Sequence, residues 1–287
     1  MSDPAADAAY QVQHTVSEAE FARMLRAYRE RSDEAVEGLA GHPGIAYDEP
    51  SGELLDVWGP GRDGERRPVF LVVHGGYWRR LSRLDTAFMA RALDAEGIAT
   101  VSVDYSLAPD APLEEMVRQV RAAVAWVYRR GVAHGLAPER ITVGGSSAGG
   151  HLAGALMVPG WQEAAGLPVD VVKAALPISG LFDLRPLVDA FCNEWLGLDG
   201  ERAAALSPLL AVGPGGPPAV VAVAERDGSG FLEQSRAFRA AWAEHAAAEL
   251  LVVPDRHHYD VFLDLADPKS ELFGRLVELV RDTGRAR

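Results

Sequence analysis

The sequence predicts an α/β fold, a mostly parallel central sheet with helices on both faces and a small cap. Three observations carry this. Apolar runs of strand length alternate with segments of helical period along most of the 287 residues. Those runs lack the in-out alternation of a sheet with one wet face, as expected of strands buried between two helical layers. The composition, with 48% apolar and 24% charged residues, is that of a folded chain.

The elements follow in order. Residues 1–13 are polar and Ala-rich, without the basic start and apolar run of a signal peptide. Residues 17–39 place Phe21, Met24, Leu25, Tyr28 and Val36 at helical spacing, and Ser17 and Glu20 are spaced as a capping box. Residues 1–40 are therefore expected as a helical segment packed on the domain. Residues 41–52 are rich in turn formers. Residues 54–58 and 68–73 read as strands parted by a polar linker. A helix over 86–95 and a short β-branched strand over 98–103 come next, followed by a long helix over 112–130 with Leu113, Met116, Val117, Val120, Val124 and Val127 on its apolar positions. Residues 141–143 form a strand that runs into a glycine-rich turn, and 150–157 the helix after it. Residues 171–178, 219–224 and 250–253 are further buried strands. Helices are expected over 231–247 and 271–281. Residues 183–208, between two strands, are the candidate cap. No internal repeat is present, so residues 41–287 read as one domain.

Composition excludes several function classes. A net charge of −13 repels phosphate backbones and anionic lipids, so neither nucleic acid nor membrane is expected as a partner. No apolar stretch approaches the roughly 20 residues that span a bilayer. The single cysteine, Cys192, excludes an internal disulfide and a Cys-based zinc site. Neither H-x-H nor H-E-x-x-H spacing occurs, so no metal is expected. The expectation is a cytoplasmic protein that takes a small-molecule substrate without a cofactor. Its oligomeric state is left open, a homodimer included.

The chemistry begins at Gly145-Ser146-Ser147-Ala148-Gly149, a G-x-S-x-G match lying between a strand and a helix. That context suits a nucleophile held on a strained turn above the sheet edge, with small neighbours letting strand and helix approach closely. A Gly-rich phosphate loop is the competing reading, but neither a dinucleotide fingerprint nor a P-loop lysine is present. Ser147 is the expected nucleophile. In the frame of Ser146, the later glycine is replaced by Ala148.

A serine hydroxyl needs a base to take its proton. Of eight histidines, His14 and His42 precede the early strands, and His134 and His245 sit in polar surroundings. His151 lies one turn beyond Ser147, where it would pack or bond locally. His74 opens a Gly-Gly loop. Only His257 and His258 follow the last strand, as the order serine, acid, histidine requires. For the acid that holds the imidazole, Asp227 and Asp183 both follow strands. The ordinary use of such an Asp is a helix N-cap. His74-Gly75-Gly76-Tyr77-Trp78 is suited to backbone N–H donors for a developing oxyanion, joined by Ala148 just after the nucleophile.

These segments, with Ser179-Gly180-Leu181-Phe182-Asp183-Leu184, Leu196-Gly197-Leu198, Leu206-Ser207-Pro208-Leu209 and His258-Tyr259-Asp260-Val261, resemble the kynurenine formamidase (arylformamidase) group of the α/β-hydrolase fold. The resemblance runs from about Leu54 to the last helix. It implies Ser147 as nucleophile, Asp227 as acid and His258 as base, with Gly76, Tyr77 and Ala148 as oxyanion donors. The implied reaction is hydrolysis of N-formyl-L-kynurenine to L-kynurenine and formate in tryptophan catabolism. A general carboxylesterase for small acyl esters would need the same groups. Because formyl is small, discrimination would lie on the aromatic side, with Trp78, Phe182 and Trp195, beside Tyr77, expected as walls. Ordinary core packing is the other reading of each.

Overall fold

The structure is a computed structural model and describes residues 2–284. Residues 1 and 285–287, the outer ends of the expected segment and domain, lie outside the described residues. The chain opens with α1 (Pro4–Tyr10), a 3₁₀ turn (Val12–Thr15) and α2 (Glu18–Val36). The expected capping residue Ser17 does cap α2, its hydroxyl accepting from the Glu20 N–H at 3.1 Å. The expected turn region instead contains a strand, β1 (Gly41–Ala46), followed by β2 (Leu54–Trp58). Its pairing with β2 supplies partners that its own Gly- and Pro-rich residues do not advertise.

Next come β3 (Arg67–Val73), α3 (Ala90–Ala95), β4 (Ala99–Val103), α4 (Leu113–Arg130) and β5 (Leu136–Ser146). They are followed by α5 (Ala148–Met157), α6 (Trp161–Ala164), β6 (Val172–Ile178), α7 (Asn193–Leu196) and α8 (Gly200–Ala205). The chain closes with β7 (Ala219–Arg226), α9 (Ser229–Trp242), β8 (Ala248–His257) and α10 (Glu271–Asp282). Helix α3 is shorter than its apolar spacing predicts. A 3₁₀ turn (Arg83–Asp85), closed by a Ser82–Asp85 capping box, occupies the approach to it.

The sheet has eight strands in the order β1-β2-β4-β3-β5-β6-β7-β8. β2 runs antiparallel to β1 and β4, and every other neighbouring pair is parallel. The two-residue period of β3 divides the core. Val69, Leu71 and Val73 join the cluster packed with α4, α5 and α9, whereas Phe70 and Val72 face the cluster of α2, α3 and α10. All three side chains of the first set are fully buried, which explains why the strand reads as one apolar run. Parallel strands place their carboxyl ends along one edge. The segments that hold Ser147, Asp227 and His258 emerge there.

Candidate active site

At the end of β5, Ser147 has φ 59° and ψ −120°, a conformation that costs a non-glycine residue of the order of 1–3 kcal/mol. The surroundings over-determine it. The Ser147 N–H donates to the Ile178 carbonyl at the end of β6 (2.9 Å), and the Ser147 carbonyl accepts from the His151 N–H (3.0 Å) as α5 begins. Flanking side chains would prevent this turn. A Cβ at Gly145 would stand 2.5 Å from the Val73 carbonyl oxygen, and one at Gly149 would collide with the same atom. The glycine spacing is thus the sequence-level cause of the turn.

Asp227 immediately follows β7, and His258 immediately follows β8. His258 Nδ1–H donates to Asp227 Oδ1 at 2.8 Å, and the Gly228 N–H donates to the same oxygen at 2.8 Å. The other carboxylate oxygen is buried without a partner. This bond places the imidazole proton on Nδ1 and leaves Nε2 as the acceptor. Phe231 packs its ring 4.5 Å from that of His258. Asp183, the alternative acid, is paired with Arg185 at 2.9 and 2.7 Å, and that guanidinium holds its carboxyl below the usual range. His257 turns away from this group. Its Nδ1 accepts from the N–H groups of Tyr259 (3.2 Å) and Asp260 (3.3 Å), which closes the turn into the 3₁₀ segment Val261–Ala266.

Ser147 and His258 line a single cleft together with Gly75, Gly76 and Tyr77. The cleft holds about 840 Å³ of empty space, counting its mouth. Among the described residues, neither the Gly76 nor the Tyr77 N–H donates to a backbone carbonyl, which leaves both available to an oxyanion. The loop that carries them is held at three points. The Ala108 N–H donates to the Trp78 carbonyl (2.7 Å), and Trp195 Nε1–H to the Tyr77 carbonyl (3.1 Å). Beyond the loop, Arg83 is paired with Asp56 of β2 and with Asp104 just after β4. The Tyr77 hydroxyl reaches the Tyr10 carbonyl, and burial raises the pKa of that phenol.

Two of the expected walls are corrected. Trp78 and Phe182 are fully buried and do not border the cleft. Phe182 stacks on Phe238 of α9 at 4.1 Å. Trp78 points under its loop, and its Nε1–H donates to His151 Nδ1 (3.3 Å), while His151 Nε2–H donates to the Leu206 carbonyl (2.9 Å). Holding that acceptor requires a neutral imidazole, and burial pushes the His151 pKa down to about 4. Tyr77 and Trp195 do line the cleft, joined by Phe191.

The remaining wall was not anticipated. Val12, Gln13, Phe21, Leu25 and Tyr28 bring the N-terminal segment over the cleft. The apolar face of α2 was visible as a period, but a period does not say what lies opposite it. Arg79 and Arg80 also reach the cleft. No His, Cys, Asp or Glu group that could hold a metal ion occurs among the described residues. Among these residues, too, no helix is long and apolar enough to cross a membrane.

Residues 55–242 match the BD-FAE family model. The chain is 32% identical to kynurenine formamidase from Salmo salar over 82% of its own length and 81% of that protein. It is 31% identical to the esterase LipQ of Mycobacterium tuberculosis, covering 71% of this chain and 53% of LipQ. Among solved structures, a Silicibacter protein provisionally assigned as a thioesterase superposes with a TM-score of 0.81 at 27% identity, over 96% of this chain and 98% of that one.

Proposed function

The chain belongs to the BD-FAE family of α/β-hydrolases, and from that premise we propose that it is a serine hydrolase cleaving aryl formamides, N-formyl-L-kynurenine foremost. One observation carries the reading. The His258–Asp227 bond of 2.8 Å adjoins the cleft that also exposes the strained Ser147 turn. In the proposed mechanism His258 Nε2 takes the Ser147 proton as Oγ attacks the formyl carbon. The Gly76, Tyr77 and Ala148 N–H groups stabilise the oxyanion. The proton then passes from His258 to the arylamine nitrogen as the C–N bond breaks, leaving a formyl-serine. A water deprotonated by His258 attacks this ester, and formate departs as Ser147 regains its proton. L-kynurenine is the other product. Asp227 supports the imidazolium at each stage. Placement of these roles in a cytoplasmic enzyme of tryptophan catabolism is part of the same proposal.

The likeness to LipQ favours a second reading, a general carboxylesterase for small acyl esters. The discriminating measurement is kcat/KM on N-formyl-L-kynurenine beside p-nitrophenyl acetate. A formamide value above about 10³ M⁻¹s⁻¹, exceeding that of the ester, is expected. A lower value with faster ester turnover would establish the esterase reading instead.

A further inference from the structure

In a chain of net charge −13, the cleft reverses the prevailing sign. Apart from His258, its only ionisable side chains outside the tyrosines are Arg79 and Arg80, and no carboxylate lines it. Arg83, three residues on, is ion-paired with Asp56 and Asp104. Arg79 and Arg80 have no such partner among the described residues, and both are exposed at the mouth. The Arg79 guanidinium lies 4.8 Å over the Trp195 ring, a position that orients a cation without neutralising it.

The backbone makes this placement rigid. Tyr77, Trp78 and Leu81 have φ of 52°, 56° and 69°, so three non-glycine residues in a five-residue stretch occupy the left-handed region. Side chains rarely accept that unless the surroundings impose it, and the loop's three anchors do so. The segment that offers the Gly76 and Tyr77 N–H groups therefore also fixes where the Arg79 and Arg80 side chains leave the backbone. The cleft they share with Ser147 has aromatic walls that include Tyr77, Phe191, Trp195 and Tyr259. A ligand suited to this lining combines a reacting carbonyl, a flat ring and an anion. A planar guanidinium is well suited to a carboxylate.

We propose that Arg79 and Arg80 form a carboxylate-binding pair, so that the preferred substrate carries a carboxylate on the aromatic leaving-group side of the bond cleaved at Ser147. This rests on the acyl-transfer reading of the site, but not on formyl being the acyl group. Two substrate pairs separate these points. N-formyl-L-kynurenine is compared with 2-acetylformanilide, which keeps the ring and ketone but lacks the amino-acid end. The ester 3-(3-acetoxyphenyl)propanoate is compared with phenyl acetate.

For the Arg79→Gln/Arg80→Gln double variant, kcat/KM on the carboxylate member of each pair should fall about 30-fold, mainly through KM, and on the neutral member at most about threefold. Arg79→Lys/Arg80→Lys should recover part of the loss. In the unmodified protein the preference for the acid should shrink as ionic strength rises from about 0.05 to 1 M. Equal losses on both members, or a salt-independent preference, would overturn the arginine proposal while leaving the formamidase reading intact. Charge selectivity on the ester pair without formamide turnover would support the arginine site and remove the formamidase reading.

Discussion

The floor of the cleft comes from the ends of neighbouring strands, whereas its roof comes from helices that precede the sheet and from short turns after β6. On the floor, Ser147, Asp227 and His258 each stand within one residue of the end of β5, β7 or β8. The parallel register between these strands leaves them little freedom. The roof is held by apolar packing, with Tyr10 and Val12 in one core cluster and Met24 and Tyr28 in the other, and by polar contacts. The Phe191 N–H donates to Asp7 Oδ1 (2.6 Å), the Asp3 N–H to the Asp189 carbonyl (2.7 Å), and Gln234 Nε2–H to the Tyr10 hydroxyl (2.9 Å). Helix α1 has seven residues and could not persist without them. The contrast separates two tasks. Under the proposed function, the floor would carry the chemistry, with positions set by the whole sheet, and the roof the selection among substrates.

The largest effects should come from the floor, each sharply different from that of a neighbouring residue. Ser147→Ala and His258→Ala should lower kcat by about 10⁵-fold or more, and Asp227→Asn by about 10⁴-fold. Ser146→Ala, His257→Ala and Asp183→Asn should stay within about tenfold. Steady-state kinetics on protein with an unchanged circular dichroism spectrum checks this. Equal losses from either adjacent pair would mean that the strand ends do not discriminate as the geometry requires.

The link between floor and roof is next in size. His151 accepts from Trp78 and donates to Leu206, and burial lowers its pKa to about 4. Unfolded, it would titrate near 6.5, so between these values the unfolded chain binds more protons than the folded one. Stability is therefore full above about pH 6.5 and declines as the pH falls towards 4. This group alone could shift the folding equilibrium by roughly a hundredfold. Urea midpoints measured between pH 7 and 4.5 should fall less steeply in His151→Gln. An unchanged slope would show that other groups dominate the acid response.

The smallest effect should come from the roof itself. Trp195→Ala removes an aromatic wall and the bond to the Tyr77 carbonyl. We expect KM to rise about tenfold with kcat within about threefold, because the lost contacts serve ground state and transition state alike. A kcat loss beyond a hundredfold, measured on N-formyl-L-kynurenine, would show that the roof also positions the floor.

Much of this was legible in local patterns. The strands β2, β3 and β6, the long helices and the Ser147 turn declare themselves through apolar runs, a 3.6-residue period and glycines that only a close approach requires. β1 escaped because its Gly- and Pro-containing residues gain strand character from pairing with β2. Trp78 and Phe182 were misplaced for a related reason, since an aromatic residue beside a catalytic motif can face the cleft or the core. Tertiary packing decides which. Trp78 lies beneath the loop, where its indole N–H donates to His151.

By itself the sequence determined what depends on composition and on neighbours along the chain: the alternation of strands and helices, the strained turn at Ser147, and a net charge of −13. From those residues alone, His257 and His258 remained equivalent, as did Asp183 and Asp227. Tertiary structure decided that His258 meets Asp227 and that the N-terminal segment roofs the cleft. The physical reason is range. Sterics and periodicity act over a few residues, whereas these contacts join residues 31 apart where His258 meets Asp227, and 67 apart where Tyr77 meets Tyr10.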